Sequence, residues 1–239
     1  MTTVRRFALA AAAAVMFAGF MALGIWQIER RAWKHALIER VEQRIHASPI
    51  AAPGPEAWPQ VSAARDEYRH VRVSGTWLHD AEALVQASTE LGAGWWVLTP
   101  LRQADGTIVI VNRGFVAPPR RDRATRVAGN PPGEDRIVGL LRISEPGGGF
   151  LRRNDPAAER WFSRDVAAIA AARRLDRVAP YFIDAERAAS INEEAPIGGL
   201  TVIEFRDNHL AYAITWFALA AMIVAATVIV LREGHQREP

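Results

Sequence analysis

One histidine stands out among the residues that could bind a cofactor. His209 directly precedes a long stretch without any charged residue. If that stretch is helical, the i, i+3, i+4 and i+7 spacing places His209, Tyr212, Ala213 and Trp216 along one face. Imidazole is a common axial ligand of heme iron, and aromatic rings beside it suit a flat apolar group. His209 is therefore the candidate ligand of a heme iron.

A second uncharged stretch, near the N-terminus, contains Trp26 and Gln27 close to its end. Two consecutive helices that cross a bilayer run antiparallel, so the end of the first lies level with the start of the second. The sequence therefore predicts a cofactor pocket formed by Trp26, Gln27, His209, Tyr212 and Trp216. The alternative is that Trp and Tyr only form the aromatic belt that is common at membrane interfaces.

Most familiar enzyme chemistry is missing from the sequence. The chain contains no cysteine, which excludes a disulfide scaffold, a Cys nucleophile, a thiolate metal site and c-type heme attachment. No phosphate-binding loop, Gly-x-Ser-x-Gly elbow or His-Glu-x-x-His helix is present. We therefore expect a protein that is not an enzyme. A membrane-tethered periplasmic enzyme remains a weaker hypothesis.

The other five histidines do not form close pairs with metal-ligand spacing. They are His35, His46, His70, His79 and His235. We expect each of them to be solvated or structural. Arg113 and Gly114 lie at the end of an apolar strand-like segment, where turn chemistry is the simplest interpretation.

The two uncharged stretches, residues 7–28 and 210–231, are each long enough to cross a membrane. At 1.5 Å per residue a helix of this size covers about 33 Å, and the hydrocarbon core is about 30 Å thick. We predict two transmembrane helices. The first could instead be a cleaved signal peptide, but its apolar run exceeds the usual range of about 7 to 15 residues. Either could also be a buried core helix.

The residues between the spans, 29–209, predict a β-rich domain. We expect a helical extension at 29–45, an irregular Pro-rich linker at 47–60 and a helix at 165–175. Short alternating runs typical of strands cover 68–75, 83–87, 94–101, 107–115, 136–143, 181–184 and 201–205. The predicted fold is membrane α+β: two transmembrane helices flanking an antiparallel sheet or small barrel with one or two helices.

The location of this domain follows from membrane topology. Two spans put both termini on one side, and long domains translocate largely regardless of their charge. We expect an extracytoplasmic (periplasmic) domain, a cytoplasmic tail at 232–239 and a bacterial inner membrane. The net charge is +3, but the basic residues alternate with acidic ones. The expected partner of this surface is therefore the lipid bilayer, not nucleic acid.

In ordered blocks across nearly the whole chain, the sequence resembles the surfeit locus protein one family of cytochrome c oxidase biogenesis factors. The matching blocks are LGIWQIER at 23–30, WK at 33–34, VSGTWL at 73–78, GWWVLTPL at 94–101, VNRGFV at 111–116, WF at 161–162 with Asp165, PYF at 180–182, Pro196 with Gly199 and Thr201, and NHLAYAITWF at 208–217. Two positions depart from the family pattern. Asp207 stands where Asn is common, and Phe115 stands where Trp is frequent.

The resemblance implies a role in maturing subunit I of heme-copper oxidase, together with other oxidase assembly factors. It also implies transient handling of heme a, with His209 matching the family's proposed ligand. Gly75, Arg113 and Gly114 match family motifs, without a defined role. The expected function is binding or delivery of heme a to subunit I, and the alternative is a membrane scaffold for oxidase assembly that carries no cofactor.

Overall fold

The computed structural model describes residues 3–187, 194–201 and 207–236. The chain divides into two compact units. One contains residues 1–40 and 204–239, and the other contains residues 41–203. The first unit holds the apolar helices, and the second is the β-rich domain between them.

Two long helices account for most of the first unit, and the chain of one of them continues into the second. Helix α1 covers Thr3–His46 and helix α4 covers His209–Gln236. Their most apolar windows have mean hydropathies of 2.2 and 2.5, and only 11% and 6% of these windows is buried within the protein. Helices of this length and composition can cross a membrane, and their exposure argues against buried core helices. Both are consistent with a membrane protein.

Seven strands form one sheet in the second unit. They are β1 Ile50–Ala51, β2 His70–Trp77, β3 Ala83–Thr89, β4 Gly92–Arg102, β5 Ile108–Val116, β6 Glu134–Ile143 and β7 Val178–Ala185. Their order is β1-β2-β6-β7-β5-β4-β3, and β2 also pairs with β4. This extra pairing closes β2, β6, β7, β5 and β4 into a small barrel. The prediction of a β-rich domain between two apolar helices is confirmed.

The sheet is mixed, whereas an antiparallel sheet was one of the two predicted forms. Strand β7 runs antiparallel to β6 but parallel to β5, and β1 runs parallel to β2. Alternation of apolar and polar residues reports which face of a strand is buried. It carries no information about the direction of the neighbouring strand, so the sequence alone could not predict the parallel pairs.

The core has two layers, one inside the barrel and one between the sheet and a short helix. Tyr181 and Val111 belong to the first layer, and Phe182 and Ile110 belong to the second. The second layer packs against α3, Val166–Ala172, which begins where the Asp165 carboxylate accepts a hydrogen bond from the backbone N–H of Ala168 at 3.1 Å. Both faces of β5 and β7 are therefore buried, which explains their nearly continuous apolar sequences.

The segment 47–60 was predicted to lack regular structure, and this is wrong. It contains β1 and a 3-10 turn at Trp58–Gln60. The indole N–H of Trp58 and the hydroxyl of Tyr181 both donate to the carbonyl of Pro53, at 2.9 and 2.7 Å. The prolines fix an extended backbone that packs on the barrel.

A short helix, α2, covers Ala63–Asp66 just before β2. The strand predicted at 201–205 lies mostly outside the described residues, because residues 202–206 are not among them.

Candidate functional site

The imidazole of His209 is held by an amide from the other long helix. Its Nδ1 lies 2.7 Å from Oε1 of Gln27. An amide oxygen can only accept a hydrogen bond, so this contact is made by a protonated Nδ1. In a neutral imidazole with the proton on Nδ1, the lone pair is on Nε2, which accepts no hydrogen bond from any residue that the structure describes. That lone pair is the one that a heme iron would take.

The backbone of His209 is fixed by the residue two positions before it. Asp207 Oδ1 accepts a hydrogen bond from the His209 backbone N–H at 3.1 Å. From the residue before the N-cap position, this carboxylate caps the first N–H of α4, which has no partner within the helix, and it complements the positive end of the helix. The start of α4, and with it the position of the imidazole, is thereby defined.

Asp207 also binds two side chains of α1. Its Oδ2 lies 2.7 Å from Nε2 of His35 and 3.5 Å from Nε of Arg31. Burial raises the pKa of Asp207, but the hydrogen bonds from the His209 N–H and the His35 ring and the nearby charges of His35 and Arg31 outweigh it. The pKa of this carboxyl is therefore below its ordinary value. The carboxylate joins α1 to the start of α4.

Small residues let the two helices approach closely beyond this point. Gly24 is buried, and a Cβ added there would lie 2.5 Å from a ring carbon of Phe217. Ala213 and Ala220 are each 1% exposed. Small residues at helix interfaces in membranes allow such backbone approach. The contacts of Gln27 with His209 and of Gly24 with Phe217 show that the helices run antiparallel.

The structure brings only some of the five predicted pocket residues together. Gln27 meets His209, and Trp216 stacks on Phe20 with ring centroids 5.8 Å apart. Trp26 and Tyr212 are 53% and 56% exposed, so both rings lie on the outer surface of the helix pair. Gln27 is thus a partner of the candidate ligand, whereas the two exposed rings make no described contact with it.

The arginine of the barrel motif at 111–116 is a structural residue. The Arg113 guanidinium donates to the side-chain oxygen of Asn130 at 2.7 Å and to the carbonyl of Gly129, and lies 5.1 Å above the ring of Trp77. Burial lowers the pKa of Arg113 to about 10. Its donors are used to hold the loop before β6 against the barrel.

A second polar cluster lies on the other side of the same motif. Asp184 is 3% exposed and accepts hydrogen bonds from Asn112 at 2.7 Å, Arg142 at 2.9 Å and Thr201 at 3.0 Å. Asn112 in turn accepts from the backbone N–H of Gly114 at 3.2 Å. These residues line a polar cavity of about 250 Å³. Because the buried carboxylate is fully partnered, the cluster stabilises the barrel.

Comparison with known proteins identifies the chain. The sequence profile of the SURF1 family matches residues 14–221. A SURF1-like protein of Monosiga brevicollis is 36% identical over 90% of this chain and 84% of its own length. Surfeit locus protein 1 of Homo sapiens is 34% identical over 83% of this chain and 69% of its own length, and that of Rattus norvegicus is 34% identical over 91% and 72%.

The chain belongs to the SURF1 family. The resemblance seen in the sequence is confirmed over most of the chain.

The glycines of the SURF1-family motifs have steric roles in this structure. A Cβ on Gly75 would lie 2.3 Å from the carbonyl oxygen of Arg102, where β2 crosses β4 to close the barrel. Gly114 has a φ of +130°, and a Cβ there would lie 2.2 Å from the backbone of Ile197. Only glycine permits these approaches.

Sequence reasoning found Gln27 but missed three other residues that help to position His209 in this SURF1-family member. They are Arg31, His35 and Asp207. Arg31 and His35 follow Gln27 at i+4 and i+8, so the three share one helix face, and Asp207 lies just before an apolar helix. These signals were present in the sequence, but it did not show that this face of α1 turns toward Asp207.

Proposed function

We propose that this SURF1-family member is a non-catalytic assembly factor for heme-copper cytochrome c oxidase, and that it holds heme a through His209 for subunit I. The protein would act in a bacterial inner membrane, with its barrel domain periplasmic and both termini cytoplasmic. Family membership supports the oxidase, and the arrangement around His209 supports the heme.

The observation that carries this proposal is the hydrogen bond between His209 and Gln27. For a neutral imidazole, this contact favours the tautomer whose free Nε2 can bind iron. Within the described residues, no group of three or more His, Asp or Glu side chains could hold a metal ion. A lone imidazole suits a heme, in which the macrocycle supplies the other nitrogen ligands.

The chain's own residues would have distinct tasks at this site. His209 would bind iron, and Gln27 would orient the imidazole. Trp26 and Tyr212 are exposed on the outer surface of the helix pair and would contact the apolar macrocycle, and Trp216 would support α4 through its stacking on Phe20. Heme a would be bound and then passed on without reacting on the protein. A catalytic acid or base would therefore not be needed.

A cofactor-free scaffold is the second candidate. The hydrogen bond between His209 and Gln27 can also be explained by this function. The bond between His209 and Gln27 joins α1 to α4, which is a sufficient structural reason for an imidazole at this position. In that case the helix pair would present a fixed surface to the oxidase, and Trp26 and Tyr212 would be interfacial anchors.

Co-purification distinguishes the two candidates. The tagged full-length protein is isolated from cells that make heme a, and both its heme content and bound subunit I are measured. The heme proposal predicts a coloured protein, and His209→Ala should lose the colour while the protein still accumulates. A colourless wild-type protein that retains subunit I would instead establish the scaffold.

A further inference from the structure

A tight turn between β6 and α3 exposes two large apolar side chains. Phe150 is 91% exposed and Leu151 is 89% exposed. The backbone N–H of Arg152 donates to the carbonyl of Gly149 at 3.1 Å, so the two apolar residues occupy the corner positions of a β-turn. Gly, Pro, Asn, Asp and Ser dominate such positions, and a Phe-Leu pair there is unusual. We call residues 149–152 the Phe-Leu turn.

The Phe-Leu turn is held in place by its own backbone. Leu151 has a φ of +56°, a left-handed conformation that is uncommon for residues other than glycine. A Cβ on Gly148 would lie 2.3 Å from the carbonyl of Arg152, so the chain doubles back closely on itself. The backbone N–H of Gly147 donates to the Asp165 carboxylate at 2.9 Å. The two apolar side chains therefore project from a defined support.

Two cations follow the apolar pair. Arg152 donates to the side-chain oxygen of Gln86 at 3.1 Å and lies 5.5 Å above the ring of Phe162. Arg153 is exposed. Apolar tips with neighbouring Arg or Lys are typical of segments that enter the interfacial layer of an anionic bilayer, where the apolar part is buried and the cations meet lipid phosphates.

A membrane fits this turn better than a protein partner does. Stable protein interfaces bury about 800 Å² per partner, far more than two side chains can supply. A bilayer contact needs no such area here, because the domain is flanked at both ends by helices apolar enough to span a membrane. Such tethering keeps the effective concentration of the membrane high, so a weak contact is sufficient.

We propose that Phe150 and Leu151 insert into the headgroup and upper acyl region of an anionic lipid bilayer, with Arg152 and Arg153 beside lipid phosphates. The contact would be a third attachment of the domain to the membrane, in addition to the two helices. It is independent of whether His209 binds heme.

The absence of cysteine from the chain provides a direct test. The full-length Phe150→Cys variant is labelled with an environment-sensitive fluorophore and placed in nanodiscs of phosphatidylcholine and phosphatidylglycerol. Insertion to about 5–10 Å predicts a blue-shifted emission and stronger quenching by lipids with a shallow nitroxide than by lipids with a deep one. Val127→Cys, at a side chain that is 67% exposed on another part of the domain, is the matched control and should report water.

Charge reversal tests the role of the cations. Adding Arg153→Glu to the labelled Phe150→Cys protein should reduce quenching in anionic nanodiscs and have little effect in neutral ones. A water-like emission from the label at 150 would overturn the proposal, as would equal quenching at 127. Protection of the label only after an oxidase subunit is added would also overturn it, because the turn would then be a protein-docking site.

Discussion

Gln27 Oε1 lies 2.7 Å from Nδ1 of His209, so an amide on the first long helix selects the tautomer of an imidazole on the second. This contact gives Gln27 a role different from the predicted one. It lies behind the candidate ligand as a hydrogen-bond partner. Such partners fix the ring orientation of a metal ligand and raise its basicity.

Replacing Gln27 by Leu keeps the bulk of the side chain and removes the acceptor. The imidazole is then free to rotate and to place its proton on Nε2. We expect heme affinity to fall by roughly 10- to 100-fold, which is typical for the loss of such a partner. Titration of the purified protein with heme, followed by absorbance, measures this change.

Gln27→Glu is the conservative control for that experiment. A carboxylate still accepts the hydrogen bond from Nδ1, so heme binding should be retained with a more negative reduction potential. Equal affinities for the wild type and Gln27→Leu would show that the amide does not support the ligand.

The Asp207 carboxylate should position His209 without touching a cofactor. Asp207→Ala removes the cap of α4 and the contacts with His35 and Arg31, so we expect weaker heme retention and a lower thermal midpoint. Asp207→Asn keeps an oxygen that can accept from the His209 N–H and should behave more like the wild type. The thermal midpoint in detergent reports the effect on stability, and the heme content at saturation reports the effect on heme retention. Identical values for Asp207→Ala and the wild type would refute the capping role.

Helix packing at Gly24 provides a steric prediction. A Cβ at this position would lie 2.5 Å from the Phe217 ring, whereas one at Gly19 meets nothing within 4 Å. Gly24→Ala should therefore separate the helices and destabilise the pair by about 1–3 kcal/mol, as overpacked sites do. Gly19→Ala is the matched control. Disulfide trapping between engineered cysteines on α1 and α4 should be slowed by the first substitution and unaffected by the second.

The barrel should lose stability in acid through Asp66. This side chain is fully buried, and burial by itself raises its pKa. Hydrogen bonds from the Ser62 backbone N–H and from Arg69 have the opposite effect, as do the nearby charges of Arg65 and Arg69. The net result is a pKa below the ordinary value of an Asp carboxyl. A carboxyl whose pKa is lowered in the folded state makes its full contribution to stability when the pH is above the pKa that the group has in the unfolded chain. That contribution is lost as the pH falls through the lower, folded-state value.

Denaturant unfolding of the full-length protein between pH 7 and pH 2 measures this effect. Asp66→Asn should be less stable at pH 7 and should show a flatter dependence on pH below 4. Asp80, whose side chain is 96% exposed, provides the control, because Asp80→Asn should keep the wild-type profile. An unchanged profile for Asp66→Asn would rule out this carboxyl as the source of acid sensitivity.

Local patterns explain which parts of the fold the sequence could predict. Uncharged stretches of bilayer length favour spanning helices over the alternatives, and strands such as β5 keep their apolar character through burial on both faces. The parallel pairing of β5 with β7 could not be inferred, because strand direction depends on the long connection through α3. The packing of residues 47–60 on the barrel could not be inferred either. Prolines occur both in loops and in extended segments that pack on a domain, so the proline content does not distinguish the two.

The candidate site was predicted in part for a similar reason. The antiparallel arrangement of two consecutive spans placed Gln27 level with His209, and the two side chains do meet. It could not determine which faces of α1 and α4 meet, so Trp26 was grouped with Gln27 although its ring is 53% exposed. Asp207 and His35 are distant in sequence and become neighbours only when the helices pack.

The absorption spectrum of the full-length protein, purified from cells that also make heme a, shows whether His209 holds heme a. We expect a heme a spectrum for the wild type and for His46→Ala, which removes an exposed imidazole elsewhere on α1. His209→Ala should lose most of that absorbance at equal protein yield. A His209→Ala protein with the full wild-type spectrum would rule out His209 as the ligand.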